Sequence, residues 1–310
     1  MKAVRIHGYG GVDALSYEEA PRPTAGEGEV LIRVHATSVN PFDAALRSGY
    51  LSGYFKPNFP LTLGTDVAGT VEAVGGGVKD FAPGDSVYAR GGVTRDGAYA
   101  EYVVVPASDV AAKPKTLDFI HSAAIPHVIL TAWQALIEVA KLAKGQTVLI
   151  HGAAGGVGHV ATQLARSRGA KVIGTASKNV DFLHELGVDQ IIDYTKSKFE
   201  EVVHDIDVVL DTVGGDTQQR SWGVLKPGGI LVSTIQPPSE ETAAAHGVRQ
   251  GMIATSPPIG PTLTEVARMV DVGEIKPEVS RVLPLEEIRK AHELIETRHT
   301  RGKIVLQVVN

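Results

Sequence analysis

A glycine-rich segment in the middle of the chain has the composition of a phosphate-binding loop. The apolar run Val148-Leu-Ile150 leads through His151 into Gly152-Ala-Ala-Gly-Gly-Val-Gly158. A strand, a glycine-rich turn and a helix start, in that order, form the context that a dinucleotide-binding loop requires. Amide hydrogens at the helix start would then face the phosphates. A tight strand-to-helix turn without a ligand is the alternative.

The individual glycines of this loop have separate predicted uses. Gly155 can let the backbone approach a pyrophosphate, and Gly158 can let the helix pack closely on the strand. The first position of the fingerprint holds Ala153 instead of glycine, which is a mild departure. The predicted cofactor contacts in the loop are Ala153, Gly155, Gly156, Val157 and Gly158.

The next strand indicates which nicotinamide cofactor the loop would take. Lys171–Thr175 is followed by Ala176-Ser177-Lys178, without the Asp or Glu that usually holds the ribose 2′-hydroxyl of NAD. A hydroxyl and a cation suit a 2′-phosphate, and two charge-assisted contacts correspond to roughly a 10²–10³-fold preference for NADPH. The alternative is that Lys178 is a solvated surface lysine.

Two kinds of pattern along the chain predict the elements that position this loop. Up to about residue 115, short valine-rich runs separated by Gly and Pro, such as Glu29–Ser38, Asp66–Val74 and Tyr99–Val105, predict an antiparallel, barrel-like unit. One helix is expected after Asn40, because Pro41 occupies the favoured first helical position.

From about residue 121, helical and strand patterns alternate, beginning with an expected helix over Thr131–Ala140, which predicts an α/β fold with a parallel sheet. Arg249–Thr255 is the predicted last strand of this sheet. Two helices, Thr262–Val272 and Leu285–Thr297, and a final strand, Lys303–Val308, follow it. We therefore expect one domain at residues 1–121 and 275–310, and a second at residues 122–274.

Composition excludes several classes of function. The net charge is −5, and no cluster of Lys and Arg gives an electrostatic reason to bind nucleic acid or an anionic membrane. The chain has no cysteine, which excludes disulfides, thiolate catalysis and cysteine-ligated metal sites. With no signal peptide or membrane span evident, we expect a cytoplasmic protein with no membrane partner.

Several motifs in order carry a resemblance to a known family. They are Gly145-Gln146 with Ala153-Ala-Gly-Gly-Val-Gly158, Ser38-Val-Asn-Pro-Phe-Asp43, Leu63-Gly-Thr-Asp-Val-Ala-Gly69, Leu130-Thr-Ala-Trp-Gln-Ala-Leu136 and Gly302-Lys-Ile-Val-Leu306. The chain resembles the zeta-crystallin-like quinone oxidoreductases, the zinc-free branch of the medium-chain dehydrogenase/reductase superfamily. The resemblance implies a GroES-like domain and a Rossmann domain that binds NADPH. It also implies a homodimer, with a tetramer as the alternative, joined near Val248–Thr255.

The same resemblance bears on metal binding. Zinc-dependent relatives place Cys where this chain has Asn40, and His-Glu where it has Thr65-Asp66. We therefore expect no metal site. Without a Lewis acid the substrate must already be electrophilic, as quinones and α,β-unsaturated carbonyls are. Hydrogen-bond donors would stabilise the charge that develops on the carbonyl oxygen.

The resemblance also implies roles for particular side chains. Asn40 matches an asparagine near the nicotinamide ribose and the substrate, with a plain helix N-cap as the alternative. Thr131 matches a threonine beside the nicotinamide, with a helix-interior hydroxyl bonded to the preceding turn as the alternative. Tyr194 matches a tyrosine against the adenosine phosphate, with a packing role as the alternative. Relatives often carry an active-site tyrosine near Tyr50 or Tyr54, and Tyr50 is the predicted proton donor, with water as the alternative.

Two further residues near these positions have modest predicted roles. Asp43 is expected to stabilise the N-terminus of its helix. His127 departs from the usual small apolar residue of its segment, and a packed histidine is the favoured interpretation.

These observations predict an NADPH-dependent, zinc-independent reductase that transfers hydride to a quinone or an α,β-unsaturated carbonyl. Two alternatives stay open at this point. One is an enoyl-thioester reductase, and the other is a non-catalytic, crystallin-like protein that binds NADPH without turnover.

Overall fold

The chain divides into two units that alternate along the sequence. The structure is a computed structural model, and it describes residues 1–92, 95–254 and 258–308. Within the described residues, unit 1 comprises residues 1–92, 95–127, 258–273 and 277–308. Unit 2 comprises residues 128–254 and Glu274–Lys276.

The strands are β1 Lys2–Ile6, β2 Ser16–Glu19, β3 Glu29–Val39, β4 Leu61–Thr62, β5 Asp66–Val74, β6 Ser86–Arg90, β7 Tyr102–Pro106, β8 Val110–Ala112, β9 Thr147–Ile150, β10 Lys171–Ala176, β11 Gln190–Asp193, β12 Ile206–Asp211, β13 Leu225–Ser233, β14 Arg249–Met252, β15 Val279–Pro284 and β16 Lys303–Gln307. The helices are α1 Pro41–Ser48, α2 Phe119–Ala123, α3 Pro126–Trp133, α4 Gly156–Ser167, α5 Val180–Glu185, α6 Gly215–Ser221, α7 Glu240–Ala245, α8 Gly260–Asp271 and α9 Ile288–Glu296.

Unit 2 is built on a parallel sheet with strand order β11-β10-β9-β12-β13-β14. Numbered within the sheet, this is the order 3-2-1-4-5-6 of the doubly wound dinucleotide-binding fold. Its strands are apolar along most of their length because helices cover both faces, and Leu149, Val209 and Leu231 lie in one buried cluster with Trp222. The predicted α/β fold is confirmed.

The order and direction of the strands indicate which edge of this sheet would bind a ligand. The strand order reverses at β9, so the turns after β9 and β12 diverge from one another. Ligands of open α/β sheets bind at the carboxyl ends of the strands at such a reversal. The glycine-rich loop follows β9 and therefore lies at this position.

Unit 1 contains a mixed sheet of order β15-β16-β3-β5-β6-β8, with β7 also paired to β3, and a small sheet of order β2-β1-β4. The pairings are antiparallel except for β15 with β16. Valine and isoleucine alternate inward along β3, β5 and β7, which buries Val30, Ile32, Val67 and Val103 in one cluster. The predicted GroES-like domain is thus present.

The division of the chain differs from the predicted boundaries. Residues 258–273, expected in the Rossmann domain, belong to unit 1 because the apolar face of α8 packs on β8. Leu263 and Val266 on that face are buried, and the Tyr88 hydroxyl donates to the Leu263 carbonyl at 2.5 Å. The first boundary falls after His127 instead of residue 121.

Two predicted elements end differently in the structure. The helix expected over Thr131–Ala140 is α-helical to Trp133 and continues as a π-helical segment at Gln134–Val139. The predicted strand Arg249–Thr255 is observed at Arg249–Met252, and Thr255 lies outside the described residues. Among the described residues, no helix is long and apolar enough to cross a membrane.

Candidate functional site

The glycine-rich loop joins β9 to α4 through a turn that admits no larger residue at one point. An ideal Cβ at Gly158 would lie 2.2 Å from the Gly152 carbonyl oxygen and 2.7 Å from the Ala153 Cα. Gly152 itself has φ +66°, in the left-handed region that favours glycine. The helix therefore begins directly against the strand end, as a dinucleotide-binding turn requires.

The start of α4 is suited to an anion. Gly155 is the N-cap and has no side chain to occupy the amide hydrogens of the first turn. These amides and the positive end of the helix dipole favour a phosphate. The carbonyl oxygen of Gly155 is turned into the helix, where it accepts from the backbone of His159 at 3.0 Å. The loop residues therefore fit a dinucleotide.

The departure at Ala153 has a local explanation. Ala153 is buried, and its amide donates to the Thr175 carbonyl at 3.1 Å. On the neighbouring strand, Gly174 leaves room for the Ala153 methyl, because a Cβ at Gly174 would lie 2.8 Å from it. An alanine at the first fingerprint position is thus accommodated by a glycine on β10.

The buried residue His151 directly precedes the glycine-rich loop, and its ring contacts β10 and α6. The His151 ring lies 3.2 Å from the Thr175 hydroxyl through Nδ1 and 2.9 Å from the Ser221 hydroxyl through Nε2. Burial lowers the pKa of His151 to about 4, so the ring is neutral at physiological pH. The sequence analysis did not identify His151, because nothing local indicates that its partners lie 24 and 70 residues away.

The residues predicted to contact the 2′-phosphate and the adenosine phosphate of the cofactor lie after two adjacent parallel strands. Ser177 follows β10 and Tyr194 follows β11, and the Tyr194 hydroxyl donates to the Ser177 Oγ at 2.8 Å. Tyr194 is 52% exposed, and Lys178, which follows Ser177 in the sequence, is exposed as well. The structure thus brings Ser177 and Tyr194 together at the edge where the glycine-rich loop also lies.

A second group of polar side chains is buried in unit 1. We call Asn40, Asp66 and Lys303 the buried triad. Asp66 is 0% and Lys303 2% exposed, and the Lys303 Nζ lies 3.4 Å from the Asp66 Oδ2. Lys303 also donates to the Val39 carbonyl at 3.2 Å and to the Asn40 Oδ1. A buried ion pair needs such additional hydrogen bonds to offset its desolvation.

These contacts define what the Asn40 amide can do. Its Nδ2 donates to the Asp66 Oδ2 at 2.8 Å and to the Thr65 Oγ1 at 3.2 Å, and its Oδ1 accepts from Lys303. Both amide hydrogens are therefore engaged inside unit 1. A direct donation from Asn40 to a substrate requires that one of these two bonds be broken.

Asp66 of the triad and the neighbouring Asp43 have pKa shifts in opposite directions. Burial, the largest single influence, raises the pKa of Asp66, but the Lys303 ammonium, the charge of His127 and the hydrogen bonds from Asn40 and Ser38 together hold that pKa below its ordinary value. Burial, and secondly the charge of Asp66, raise the pKa of Asp43 to about 6. The Asp43 Oδ2 accepts from the Asn40 backbone at 2.8 Å and from the Tyr99 hydroxyl at 3.1 Å. Asp43 thus stabilises the start of α1 and carries a proton in mildly acidic solution.

Protonation of Asp43 predicts a pH-dependent stability. Because its folded pKa is raised from 3.8 to about 6, its stabilising effect is complete below pH 4 and is lost as the pH rises through 6. Relative to the wild type, an Asp43→Asn variant should gain about 3 kcal/mol of unfolding free energy between pH 4 and pH 8, from two pKa units at about 1.4 kcal/mol each. Urea unfolding at both pH values measures this, and equal differences at the two pH values would contradict it.

The remaining predicted catalytic residues are placed as follows. Thr131 lies in α3 and is 5% exposed. Tyr50 and Tyr54 lie in the turn after α1, and each is 79% exposed. His127 is half-buried, and its ring contacts the Thr65 Oγ1 at 3.4 Å and accepts from the Arg90 Nε at 3.3 Å, both at Nδ1. His127 therefore belongs to the same polar group as the triad.

The sequence analysis did not identify Lys303 and Arg90 as members of this group. The sequence does hold one signal for Lys303. This lysine begins β16, whose next three residues are apolar, but it was noted only as part of a motif. A lysine in a buried strand indicates a partner carboxylate, because a lysine is almost never fully buried unpaired. Within the described residues, no group of three or more His, Asp or Glu side chains is arranged to hold a metal ion.

Comparison with known proteins agrees with this architecture. The family model described as "Alcohol dehydrogenase GroES-like domain" matches residues 26–115, and "Zinc-binding dehydrogenase" matches residues 186–306. The mouse NAD(P)H oxidoreductase RTN4IP1, mitochondrial, is 37% identical over 91% of this chain and 82% of its own length. The Arabidopsis thaliana NADPH-dependent alkenal/one oxidoreductase, chloroplastic, is 35% identical over 99% of this chain and 79% of its own length.

A solved structure matches along the full length. The quinone oxidoreductase from Coxiella burnetii superposes with a TM-score of 0.92 at 36% identity, covering 100% of this chain and 99% of that one. The sheet order of unit 2, the mixed sheet of unit 1 and these relatives agree with the resemblance inferred from the motifs. The chain is an oxidoreductase that belongs to the quinone oxidoreductase family of the medium-chain dehydrogenase/reductase superfamily.

Proposed function

We propose that this protein reduces quinones or α,β-unsaturated carbonyls with NADPH and without zinc. The observation that carries the proposal is the pairing of a glycine-rich helix start with Ser177, Lys178 and Tyr194 at the same edge of the parallel sheet. The names of two relatives, an NADPH-dependent alkenal/one oxidoreductase and a quinone oxidoreductase, support the same acceptor class.

We propose that the glycine-rich loop binds the cofactor and that buried side chains orient the reacting groups. When bound, the reduced nicotinamide supplies a hydride, and the acceptor also takes up one proton. Ala153, Gly155, Gly156, Val157 and Gly158 bind the diphosphate. Thr131 is the proposed contact of unit 2 with the nicotinamide, and Asn40 is proposed to position the polar side chains of unit 1. These residues orient the reactants and enclose them. They would therefore raise the reaction rate mainly by holding the reactants in a productive geometry.

Zinc independence is proposed from the chemistry of the side chains. The position that zinc-dependent relatives give to a cysteine holds Asn40, whose Oδ1 faces the Lys303 ammonium. A buried cation at this point repels a second cation. We expect purified protein treated with a strong chelator to retain its full kcat/KM.

Lys178 is the proposed determinant of cofactor choice. We expect the wild type to favour NADPH over NADH in kcat/KM, and a Lys178→Ala variant to narrow that ratio about tenfold, because one charge-assisted contact to the 2′-phosphate is lost. Lys171→Ala is a matched control, since Lys171 is exposed at the start of β10, the strand that Lys178 follows. Equal use of both cofactors by the wild type would remove the basis for this assignment.

Tyr50 is the proposed proton donor, with water as the alternative. If the Tyr50 hydroxyl donates the proton, Tyr50→Phe lowers kcat about 10²-fold, because general acid catalysis contributes at least that much. Tyr54→Phe is the control, since both tyrosines lie in the same turn with equal exposure. Unchanged kcat in Tyr50→Phe would assign the proton to water.

One assay separates the proposed function from its alternatives. NADPH oxidation is followed with a quinone, an enal and an enoyl thioester as acceptors. We expect turnover with the first two. Turnover with the thioester alone would indicate an enoyl-thioester reductase, and NADPH binding without oxidation by any acceptor would indicate a non-catalytic protein.

We further propose a homodimer in the cytoplasm that has no nucleic-acid or membrane partner. The net charge of −5 and the absence of cysteine support the location and the lack of anionic partners. The predicted dimer contact is β14, whose sequence continues to Thr255 outside the described residues. Sedimentation equilibrium of the purified protein measures the oligomeric state.

A further inference from the structure

Asp43 accepts hydrogen bonds through only one of its two carboxylate oxygens. Its Oδ2 accepts from the Asn40 backbone amide at 2.8 Å and from the Tyr99 hydroxyl at 3.1 Å. Its Oδ1 is buried, and no group of the described residues donates to it. A buried carboxylate oxygen needs a donor, because the loss of its hydration is costly when nothing replaces the water. One strong acceptor at the start of α1 is therefore not satisfied by the described protein groups.

Thr62 on β4 presents a second atom of this kind. Its backbone amide donates to the Asp96 Oδ1 at 2.7 Å, and its carbonyl accepts from the Gly97 amide at 2.8 Å. Thr62 is 2% exposed, and its Oγ1 has no hydrogen-bond partner among the described residues. A hydroxyl can both donate and accept. The Asp43 Oδ1 and the Thr62 Oγ1 together suit a small molecule that also does both.

Asp43 and Thr62 line the same small cavity of unit 1. The volume of this cavity is about 10 Å³, which is room for one water molecule. Leucine side chains supply its apolar wall. Arg95, whose side chain is 44% exposed, also lines it. The cavity therefore extends from a buried carboxylate toward a residue of the surface.

Hydrogen bonds hold the backbone around the cavity in place. The Leu63 carbonyl accepts from the Tyr99 amide at 2.9 Å, and the Gly64 carbonyl accepts from the Ala98 amide at 2.8 Å. The two chain segments approach so closely that a Cβ at Gly97 would lie 2.3 Å from the Gly64 carbonyl oxygen. Backbone held in this way does not collapse onto the two polar atoms. A polar cavity with a fixed wall is the kind of site that holds an ordered water.

The polar groups of the cavity favour water over an ion. The Asp43 carboxylate repels an anion. A hard metal cation takes six or more oxygen ligands, whereas the two unpartnered atoms here are one carboxylate oxygen and one hydroxyl. In the part of the chain that the structure describes, no three His, Asp or Glu side chains are grouped to hold a metal. Water can donate to the Asp43 Oδ1 and also hydrogen-bond the Thr62 hydroxyl.

We propose that this cavity binds one ordered water molecule, which donates to the Asp43 Oδ1 and hydrogen-bonds the Thr62 Oγ1. The water stabilises the ionised carboxylate, because a hydrogen bond donated to a carboxylate favours its charged form. It also completes the hydrogen bonding of the residue that stabilises the start of α1. This site is independent of the proposed reductase activity.

The ionisation of Asp43 offers a measurement of this water in solution. The other charged or titratable groups that act on Asp43 or line its cavity are Asp66 of β5, Lys303 of β16, Arg90 of β6, Tyr99 and Arg95. None of these groups has a side-chain hydrogen bond to Thr62 among the described residues, since the Thr62 Oγ1 has no partner there. A substitution at Thr62 therefore changes the surroundings of Asp43 mainly through the water.

A crystal structure that shows ordered water tests the site directly. We expect a water within hydrogen-bond distance of the Asp43 Oδ1 and the Thr62 Oγ1 in the wild type. Thr62→Ser keeps the hydroxyl and should keep this water, whereas Thr62→Val, of nearly the same volume without a hydroxyl, should lose it. A wild-type cavity without density, in a map that shows other buried waters, overturns the proposal. A water that keeps its position in Thr62→Val does so as well.

Carboxyl ¹³C chemical shifts measure the pKa of Asp43, whose signal is assigned by its loss in Asp43→Asn. Thr62→Val should lower the acid dissociation constant of Asp43 about tenfold, because the ionised form loses one hydrogen bond, and Thr62→Ser should stay within about twofold of the wild type. A loosened fold would act in the opposite direction, because solvent would remove the burial that raises the pKa of Asp43. An unchanged or increased constant in Thr62→Val overturns the proposal. Neither measurement requires turnover.

Discussion

A Gly158→Ala variant should bind NADPH at least tenfold more weakly than the wild type and unfold more easily by about 1–3 kcal/mol. The added Cβ would lie 2.2 Å from the Gly152 carbonyl oxygen, which is backbone and cannot rotate away. To relieve the clash, α4 must move off the end of β9, and its first-turn amides move with it. Fluorescence titration with NADPH and urea unfolding measure the two effects.

Two matched variants separate the packing of the loop from its approach to the phosphates. At Gly155 an added Cβ would lie 3.2 Å from the Gly152 carbonyl oxygen, a contact that a small shift relieves. Gly155→Ala should therefore lower NADPH affinity and leave the unfolding free energy within about 0.5 kcal/mol of the wild type. Gly223→Ala, with no atom within 4 Å of the added Cβ, should change neither. Wild-type affinity in Gly158→Ala would remove the loop from the proposed site.

The parts of the fold that depend on neighbouring residues could be predicted from the sequence. A strand, a glycine-rich turn and a helix are contiguous in β9 and α4, so their pattern indicates the parallel sheet and the loop directly. The boundary between unit 2 and unit 1 could not be predicted in the same way. The apolar face of α8 shows that the helix packs on something, but the sequence does not indicate that β8 is the partner.

The same distinction applies to the polar group in unit 1. Asn40 and Thr65-Asp66 were noticed because they occupy family positions, and Asn40 was expected near the nicotinamide ribose and the substrate, or as a helix N-cap. Lys303, which lies 263 residues beyond Asn40 and 237 beyond Asp66, engages the side-chain oxygen of Asn40. Local patterns carry no information on pairings at such separations, whereas a lysine within a buried strand at least indicates that a pairing exists.

Removal of the Lys303 charge should have the largest effect on stability of any single substitution considered. We expect Lys303→Met to lower the unfolding free energy by about 3–5 kcal/mol at pH 7, because Asp66 is left buried without its cation. Without that cation, burial raises the pKa of Asp66 above its ordinary value. A raised carboxyl pKa stabilises the fold at low pH and loses that effect as the pH rises. The deficit of the variant should therefore shrink between pH 7 and pH 4.

A second substitution distinguishes an unpaired charge from lost packing. Lys303→Met/Asp66→Asn should recover most of the deficit, since a neutral amide can still accept from the His127 backbone and leaves no buried charge, whereas a purely steric defect would persist in the double variant. Lys290→Met, at a half-exposed position on α9, should stay within about 0.5 kcal/mol of the wild type. A Lys303→Met protein as stable as the wild type at pH 7 would mean that the ammonium does not compensate Asp66. In that case the Lys303 ammonium would not explain the orientation of the Asn40 amide.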